Sequence, residues 1–438
     1  MNKDNNIEIL NKQLDILSMQ KSLEELLKNN ANVEKLKKEI EELKNKINIL
    51  LASERDTSIE KYEDKIFNED CLQGLNKIPE NSIHLFLSDI PYGINLDEWD
   101  VLHNNTNSAL LGTSPAQEGK SGFKKRGKPI NGWNEDDRKI NEYYGEWVYT
   151  WAQMLYPAMK EGGSVFIFGA RRTIPSAIKS LEKAGFLMRD MLAWKKEQAH
   201  DRRQDILNVI LGRGHEYLIT AEYLEKIKFH DELSIFFNIF EELKGISYKK
   251  HTEIIKILEE KTGSKKIITK YKLEILENTV VDNEIKELAK TWKGWKIGNL
   301  APIYEPIAWL FKPYSTTTLT DNIIKNGVGG MNIQECLVNG KSPTNILDFG
   351  LSLEEKRNKF HEAQKPVELI EYLIKLTTLE NQIVLDAFMG SGTTAVAAKN
   401  LNRKYLGFER EKIYYQICLE RLNKIESNNK KNDSKSII

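Results

Sequence analysis

The sequence predicts an α/β fold, and three features of the chain lead to this prediction. Short apolar segments with strand character alternate with helical segments from residue 64 onward, as in "SIHLFLSDIPYG" and "GGSVFIFGA". A further apolar segment, "QIVLD", runs into a Gly-rich turn and a helix, "AFMGSGTTAVAAKNL". The strand-like segment after it, "KYLGFER", ends in acidic and basic residues. Strands interleaved with helices are typical of a sheet that is covered by helices.

Length and composition limit the classes of protein to consider. The 438 residues suffice for two or three domains. Lys plus Arg and Asp plus Glu each number 64, so net charge does not indicate a polyanionic partner, which must be argued from local patches. Cys71, Cys336 and Cys418 are far apart, which argues against a disulfide scaffold or zinc site. With no apolar run near the roughly 18 residues of a membrane span, we expect an intracellular, cytoplasmic protein.

The first 55 residues carry the spacing of a coiled coil. Apolar residues recur there at alternating intervals of three and four, which is typical of a helical seam. The clearest run is Val33, Leu36, Ile40, Leu43, Ile47 and Leu50. A solvated helix packed on its own domain and a helix used for dimerisation or docking to a partner subunit both fit this pattern.

The Gly-rich turn indicates a nucleotide-like cofactor site. The strand before it ends at Asp386, Gly390 and Gly392 let the backbone approach a ligand, and Thr393 opens a helix whose N-terminal amides favour an anion. Glu409 follows about 20 residues later, where an acidic side chain in a Rossmann-like sheet accepts hydrogen bonds from ribose hydroxyls. A purely structural tight turn is the alternative, and Glu409 makes it less favoured.

The stretch "SDIPYG" ends another strand with a carboxylate, a rigid turn and an aromatic ring, Asp89, Ile90, Pro91 and Tyr92. Together with "DAFMGSGTT" it resembles the catalytic and cofactor motifs of amino-methyltransferases that act on DNA. That family has Asp/Asn/Ser-Pro-Pro-Tyr/Phe and an Asp-x-Phe-x-Gly-x-Gly turn. The catalytic motif comes first here, which resembles the permuted beta-type arrangement.

The resemblance implies a fold and a cofactor. The fold is a circularly permuted, Rossmann-like methyltransferase sheet that is mostly parallel and seven-stranded with an antiparallel hairpin, and the cofactor is S-adenosylmethionine. "FNEDCLQGLNKIP" looks like the segment that meets the cofactor adenine, which assigns that contact to Asp70 and Cys71. "HEAQKPVELIEYLI" looks like the helix that closes over the methionine end, with Lys365 and Pro366, and Phe388 lies in the Gly-rich motif.

The implied reaction gives the four residues of the catalytic motif their roles. An exocyclic amine of a base is a poor nucleophile, and two acceptors that bind its protons would aim its lone pair at the methyl group. We expect the Asp89 carboxylate and the Ile90 carbonyl to be these acceptors. Pro91 would fix the turn, and Tyr92 would stack on a base extruded from the duplex.

Two points about the catalytic motif stay open. The family usually has proline where this chain has Ile90, which suggests reduced preorganisation and leaves a DNA-binding assembly subunit with a weakened site as an alternative. By the resemblance, Asp at the first position favours adenine N6 as the target. Ser88, just before it, keeps cytosine N4 open.

DNA contacts are expected from a basic loop between the segments "SIHLFLSDIPYG" and "GGSVFIFGA". Its positive side chains suit phosphates, although a solvated loop is the alternative. They are Lys120, Lys124, Lys125, Arg126 and Lys128. The expected partners are double-stranded DNA, a second copy or another subunit through the coiled coil, and a restriction endonuclease. No metal is expected.

The predicted organisation has seven segments. In chain order they are coiled-coil helices 1–55, a catalytic half 56–199 with a mobile basic loop 103–135, a helical insertion 200–294 that could take part in DNA recognition, a return strand 295–320, a target-recognition-like segment 321–362, a cofactor-binding half 363–425 and a disordered tail 426–438.

Overall fold

The computed structural model describes residues 55–92, 135–197, 204–212, 216–297, 300–357 and 364–435. Apart from their last residues, Arg55 and Glu135, the predicted coiled coil and the predicted basic loop lie outside these ranges. The chain divides into two compact units, one formed within Gln198–Pro302 and the other by the described residues on either side of it.

Strands and helices alternate through most of the first unit, and the elements of both units are numbered together in chain order. The strands are β1 (Lys65–Phe67), β2 (Ile83–Asp89), β3 (Met159–Phe168), β4 (Leu187–Lys195), β5 (Gln204–Asp205), β6 (Tyr217–Leu218), β7 (Ser247–Tyr248), β8 (Lys296–Ile297), β9 (Tyr304–Phe311), β10 (Ile346–Asp348), β11 (Ile383–Asp386) and β12 (Lys404–Phe408). The helices are α1 (Cys71–Lys77), α2 (Glu135–Ala158), α3 (Ile174–Lys183), α4 (Ile206–Leu211), α5 (Ala221–Lys228), α6 (Phe237–Glu242), α7 (His251–Thr262), α8 (Lys265–Thr279), α9 (Asn283–Thr291), α10 (Leu319–Asn326), α11 (Leu353–Arg357), α12 (Val367–Thr377), α13 (Thr393–Asn400) and α14 (Lys412–Lys435). Of these helices, none has the length and apolar character that crossing a membrane requires.

One sheet forms the centre of the first unit. Its order is β1-β12-β11-β2-β3-β9-β4-β10, and all neighbours are parallel except that β9 runs antiparallel to β3 and β4. This confirms the predicted α/β, mostly parallel fold. In the described part of the chain the sheet has eight strands rather than the expected seven. The additional strand is β10, whose three residues are too few to show a period in the sequence.

Helices cover both faces of this sheet, and the residues of β2 show how. Phe86 joins a buried cluster with Trp151 of α2 and Leu181 of α3. Leu85 and Leu87 point to the opposite face, where a second cluster includes residues of α12, α13 and α14. A strand that is buried on both faces is apolar at nearly every position, which explains why "IHLFLS" lacks the alternation of a half-exposed strand.

Strand order places the two motifs of the sequence side by side. β11 pairs with β2 in parallel, with Val384 opposite Leu85 and Leu385 opposite Phe86. Their carboxyl ends therefore lie at the same edge of the sheet, although almost 300 residues separate them in the chain. In open α/β sheets, ligands bind at this edge.

The second unit has its own core, built from α4 to α9. Leu207, Tyr217, Phe236 and Leu258 are among its fully buried side chains. The sequence predicts a helical insertion over 200–294, and the unit also contains two small antiparallel sheets, β5 with β8 and β6 with β7. In the first unit, the segments that flank the insertion are joined by a backbone hydrogen bond, in which Lys196 N donates to Ile303 O at 2.7 Å.

The C-terminal helix is longer than the sequence suggests. Disorder is expected for 426–438 from its Asn, Lys and Ser content, whereas α14 continues to Lys435. Its first turns pack at the cluster that contains Cys418 and Leu422, and helix propagation past a formed nucleus needs no further apolar residue.

We expect Gly74→Ala to destabilise the protein, although alanine is the better helix former. A Cβ on Gly74 of α1 would collide with the ring of Phe408, which is fully buried. Overpacking of this kind costs about 1–3 kcal/mol, more than the gain in helix propensity. The free energy of unfolding, measured with urea, should fall. Gln73→Ala, on the exposed side of the same helix, is the control, and equal stability of the two variants would contradict the expected collision.

Candidate active site

The turn after β2 is held by two hydroxyl groups from other elements. Tyr144 of α2 donates its hydroxyl proton to the carbonyl of Pro91 at 2.9 Å, and Thr173, just before α3, donates to the carbonyl of Tyr92 at 3.0 Å. The side chain of Ile90 is 1% exposed and packs in the core cluster that contains Phe86. The turn is thus fixed by core packing and hydrogen bonds, although Ile90 replaces the first proline of the family motif.

The carboxylate of Asp89 meets a lysine from a distant part of the chain. Lys365 lies just before α12, and its Nζ is 2.5 Å from Asp89 Oδ2. The same ammonium is 3.0 Å from Glu305 Oε1, at the start of β9, and it donates to the Tyr92 hydroxyl at 3.3 Å. The sequence predicts Lys365 as a cofactor contact, and the structure brings it to the catalytic motif.

Glu305 holds several groups in place. Its carboxylate accepts the hydroxyl proton of Tyr92 and pairs with Lys196 Nζ at 2.5 Å. Glu305 was not among the predicted site residues. Its acidic side chain inside the apolar segment "IYEPIAWLF" was the available signal, because an unpaired charge is rarely buried.

Burial and the neighbouring charges shift the pKa values of this group. Burial raises the pKa of Asp89, and the ammonium of Lys365 opposes that rise. Burial alone would also raise the pKa of Glu305, but Lys365 and Lys196 outweigh it and bring the pKa to about 2. Burial and the two carboxylates raise the pKa of Tyr92 well above its usual value, so its phenol stays protonated and acts as a donor.

The two glycines of the turn between β11 and α13 have different roles. Gly390 and Gly392 both have positive φ, at 55° and 84°. A Cβ on Gly392 would collide with Cys418 of α14, so this glycine permits the packing of that helix, and the ligand approach expected for it stays a prediction. At Gly390 the nearest atom to a Cβ would be the carbonyl oxygen of Phe388 at 4.0 Å, so the backbone there borders open space.

Asp386 connects β2 to the Gly-rich turn. Its Oδ1 accepts from Ser88 Oγ at 2.5 Å and from the amide of Phe388 at 3.0 Å. Its Oδ2 accepts from Thr394 Oγ1 at 2.6 Å. Burial nevertheless raises the pKa of this carboxyl to about 6. Asp386, predicted to bind cofactor, therefore joins three segments of the site through its own hydrogen bonds.

Glu409 closes the Gly-rich turn from β12. Its Oε2 accepts from the amide of Gly390 at 2.7 Å, and its Oε1 accepts from the amide of Glu411 at 2.7 Å. Burial raises the pKa of Glu409. Each oxygen retains a second lone pair, so the carboxylate has the capacity to accept from a ribose hydroxyl, and the contact itself stays a prediction.

The other predicted cofactor residues lie near the same edge of the sheet. Asp70 caps α1 by accepting from the amide of Leu72 at 2.8 Å, and the adjacent Cys71 is buried with a raised pKa, mainly through that burial. Phe388 is half-buried, with its ring against Trp147 and Trp151 of α2.

Two further predicted cofactor residues begin helices. Thr393 opens α13 and accepts from Arg421 at 3.2 Å, and Pro366 precedes α12. Because β1, β12 and β11 are parallel neighbours, Asp70, Glu409 and Gly390 converge at their carboxyl ends. This set of hydrogen-bonding groups beside open backbone fits S-adenosylmethionine, the cofactor that the resemblance implies.

The predicted DNA contacts cannot be placed in this geometry. Lys120, Lys124, Lys125, Arg126 and Lys128 all lie outside the described residues. Tyr144, Thr173 and Lys196 contact the site without having been predicted. Their contacts join residues that are distant in sequence, so no local pattern marks them.

The sequence is similar to those of known DNA methyltransferases. The family model described as DNA methylase, of the N6 and N4 methyltransferase type, matches residues 83–420. The type II methyltransferase M.HindIII of Haemophilus influenzae is 38% identical over 375 residues, which cover 84% of this chain and 97% of the relative. The type II methyltransferase M2.LlaDCHI of Lactococcus lactis subsp. cremoris is 47% identical over 76 residues, 17% of this chain and 28% of the relative.

Solved structures are similar at a lower level. The PvuII DNA methyltransferase, described as cytosine-N4-specific, is 14% identical with a TM-score of 0.43, over 84% of this chain and 87% of that chain. The M1.HpyAVI–SAM complex is 17% identical with a TM-score of 0.39, over 82% and 98%. Similarity at this level carries no argument about activity.

We expect Asp386→Asn to gain stability relative to the wild type as the pH rises from about 4 to about 7. The folded pKa, about 6, lies above the ordinary value of 3.8, so the native state binds the proton more tightly than the unfolded state. Wild-type stability through this group is therefore lost as the pH rises through that window, on the order of 3 kcal/mol in total. Asparagine has no such proton; its oxygen can accept from Ser88 and Phe388, and its amide group can donate to the Thr394 hydroxyl.

Urea unfolding of both proteins across this pH range tests the expectation. Thr394→Val keeps the carboxylate and removes a hydrogen bond that lowers its pKa, so its loss of stability with rising pH should be at least as large as that of the wild type. A stability difference between Asp386→Asn and wild type that does not vary with pH would contradict the raised pKa.

Proposed function

Because the chain belongs to the DNA methylase family whose model spans residues 83–420, we propose that its target is the N6 amino group of adenine in double-stranded DNA. Membership of the family establishes the reaction class. The chain is an S-adenosylmethionine-dependent DNA methyltransferase that modifies an exocyclic amino group of adenine or cytosine. The position of Asp89 at the end of β2, beside the Gly-rich turn, is the observation that carries the proposal.

The catalytic turn has the chemistry that this reaction needs. The amino nitrogen of a base has its lone pair delocalised into the ring, and it becomes nucleophilic when acceptors bind both of its protons. We assign the first proton to the carboxylate of Asp89 and the second to the carbonyl of Ile90. Tyr144 and Thr173 hold the two following carbonyls, so the position of the Ile90 carbonyl is restrained without a proline.

The cofactor would be held at the neighbouring strand ends. When bound, S-adenosylmethionine supplies the electrophilic methyl group. Gly390 offers open backbone, Glu409 accepts hydrogen bonds from ribose hydroxyls, and Asp70 and Cys71 border the adenine. The other residues of the predicted set are Lys365, Pro366, Asp386, Phe388, Gly392 and Thr393.

Two observations favour adenine over cytosine. The first position of the motif is Asp89, which by the family resemblance is typical of adenine-N6 enzymes. Ser88, the residue that would suggest cytosine N4, is 0% exposed and donates its hydroxyl proton to Asp386. Its side chain is thus committed to the structure and is unavailable to a base.

DNA binding and assembly are assigned to other segments of the chain. We infer that the loop 103–135, with Lys120, Lys124, Lys125, Arg126 and Lys128, contacts phosphates, and that the residues within Gln198–Pro302 contribute to recognition. The heptad spacing of 1–55 supports a homodimer or a partner subunit. Similarity to type II methyltransferases supports a restriction endonuclease partner and a cytoplasmic location.

We expect Asp89→Asn to lower the rate of methyl transfer to DNA by about 10²–10³-fold, because a charged acceptor is lost while the shape is kept. The measurement is incorporation of labelled methyl from S-adenosylmethionine into duplex DNA, followed by digestion to nucleosides. Wild-type product should be N6-methyladenine. Asp190→Asn, an exposed aspartate on β4, is the control and should retain activity.

Three other outcomes have definite meanings. N4-methylcytosine as the product would replace adenine by cytosine as the target. Cofactor binding without transfer to any duplex would favour the assembly-subunit alternative. Full activity in Asp89→Asn would refute the assigned role of the carboxylate.

We expect Tyr92→Ala to lower kcat/KM for DNA by about tenfold to a hundredfold, because stacking on an aromatic ring contributes about 1–3 kcal/mol per base. Tyr92→Phe keeps the ring and loses the bonds of the hydroxyl to Glu305 and Lys365, so its loss of kcat/KM should be smaller. Steady-state kinetics of methyl transfer compare the two. A Phe variant as impaired as the Ala variant would show that the hydroxyl group, and not stacking, is what matters.

A further inference from the structure

Four charged side chains form a row at the edge of the sheet that carries the catalytic motif. In order they are Lys196, Glu305, Lys365 and Asp89, and we call them the charge row. The ammonium and carboxylate groups are 2.5 Å apart between Lys196 and Glu305, 3.0 Å between Glu305 and Lys365, and 2.5 Å between Lys365 and Asp89. Charges alternate along the row and sum to zero.

The centre of the charge row is withdrawn from water. The side chains of Lys365 and Glu305 are 6% and 7% exposed. The ammonium of Lys365 also lies near the rings of Phe168, Tyr92 and Trp194, at 5.3, 5.7 and 5.9 Å from their centroids. Buried ion pairs cost desolvation free energy and seldom add net stability, which makes a role in function the better explanation of the row.

Only one of the two carboxylate oxygens of Asp89 takes part in the charge row. Oδ2 binds Lys365, whereas Oδ1 is buried and has no hydrogen-bond partner among the described residues. An unsatisfied buried carboxylate oxygen costs about 1–3 kcal/mol or more, and such atoms often mark a site that completes its bonds with a ligand.

We propose that Lys365 and Glu305 are positioning residues for methyl transfer. Lys365 occupies Oδ2 of Asp89 and leaves Oδ1 for the amino group of the base. Glu305 fixes Lys365 and the hydroxyl of Tyr92 from β9, so that the acceptor and the stacking ring keep one geometry. This role rests on the proposed function.

The charge on Lys365 also determines which form of Asp89 the base meets. The ionised carboxylate only accepts hydrogen bonds, whereas the protonated acid carries an O–H that donates one. Burial favours the protonated form, as do the negative charges of Glu305 and of Asp386 on β11, while Tyr92 donates toward this cluster. Lys365 is the cation that opposes them. Removal of Lys365 should therefore raise the pKa of Asp89, and removal of Glu305 should lower it.

The test compares Lys365→Met, Lys365→Arg and Glu305→Gln by the pH dependence of kcat for methyl transfer to DNA. Lys365→Met should lower kcat about 10²-fold at neutral pH and move the acidic limb of the profile to higher pH. Lys365→Arg keeps the charge and should keep the limb near that of the wild type. Glu305→Gln should lower kcat and move the limb to lower pH. Lys195→Met, in an exposed pair with Asp348, is the control.

A measurement without DNA separates this proposal from the proposed function. The carboxyl carbon of Asp89, labelled with ¹³C and assigned with Asp89→Asn, reports its own titration by NMR. Its midpoint should rise in Lys365→Met and not in Lys195→Met. An unchanged midpoint, or variants of Lys365 and Glu305 with wild-type kcat and limb, would overturn the proposal. If the midpoint rises in Lys365→Met but the wild-type protein methylates no DNA, the proposed function would be overturned instead.

Discussion

The parallel pairing of β2 with β11 is the constraint on which the candidate site depends. It brings Asp89 and Asp386 to one edge of the sheet from positions almost 300 residues apart. The bond from Ser88 to Asp386 then joins the catalytic strand to the Gly-rich turn, and Thr394 extends the connection into α13. Base and cofactor can meet only if these two strand ends are neighbours, so the long segment between them is free to vary as long as this pairing is kept.

The antiparallel strand β9 brings Glu305 to the site from its first residues rather than its last. Parallel strands deliver their last residues to the active edge, as β2 delivers Asp89. Since β9 runs the other way between β3 and β4, it delivers one of its first residues, Glu305, to the same edge. The buried carboxylate is balanced there by Lys365 and Lys196, which keeps the desolvation cost of the charges tolerable.

Local patterns allowed the α/β class, the motif order and the edge that carries Asp89 and Gly390 to be predicted, because each strand and each motif is recognisable from its own short stretch of sequence. Contacts between distant segments could not be predicted in the same way. The hydroxyls of Tyr144 and Thr173 have no spacing that points to the turn after β2, and β10 is too short to show a period. Gly392 has the same motif signature as Gly390, and only the packing of Cys418 distinguishes them.

The backbone bond between Lys196 and Ile303 has a consequence for how the gene can change. In topology, β4 and β9 are the two arms of an ordinary hairpin, and everything from Glu197 to Pro302 takes the place of its loop. Hairpin arms are commonly joined by two to five residues. A whole module can therefore be gained, exchanged or lost at this one point while the hydrogen-bond ladder of the arms stays intact, and Glu305 stays at the edge where it is needed.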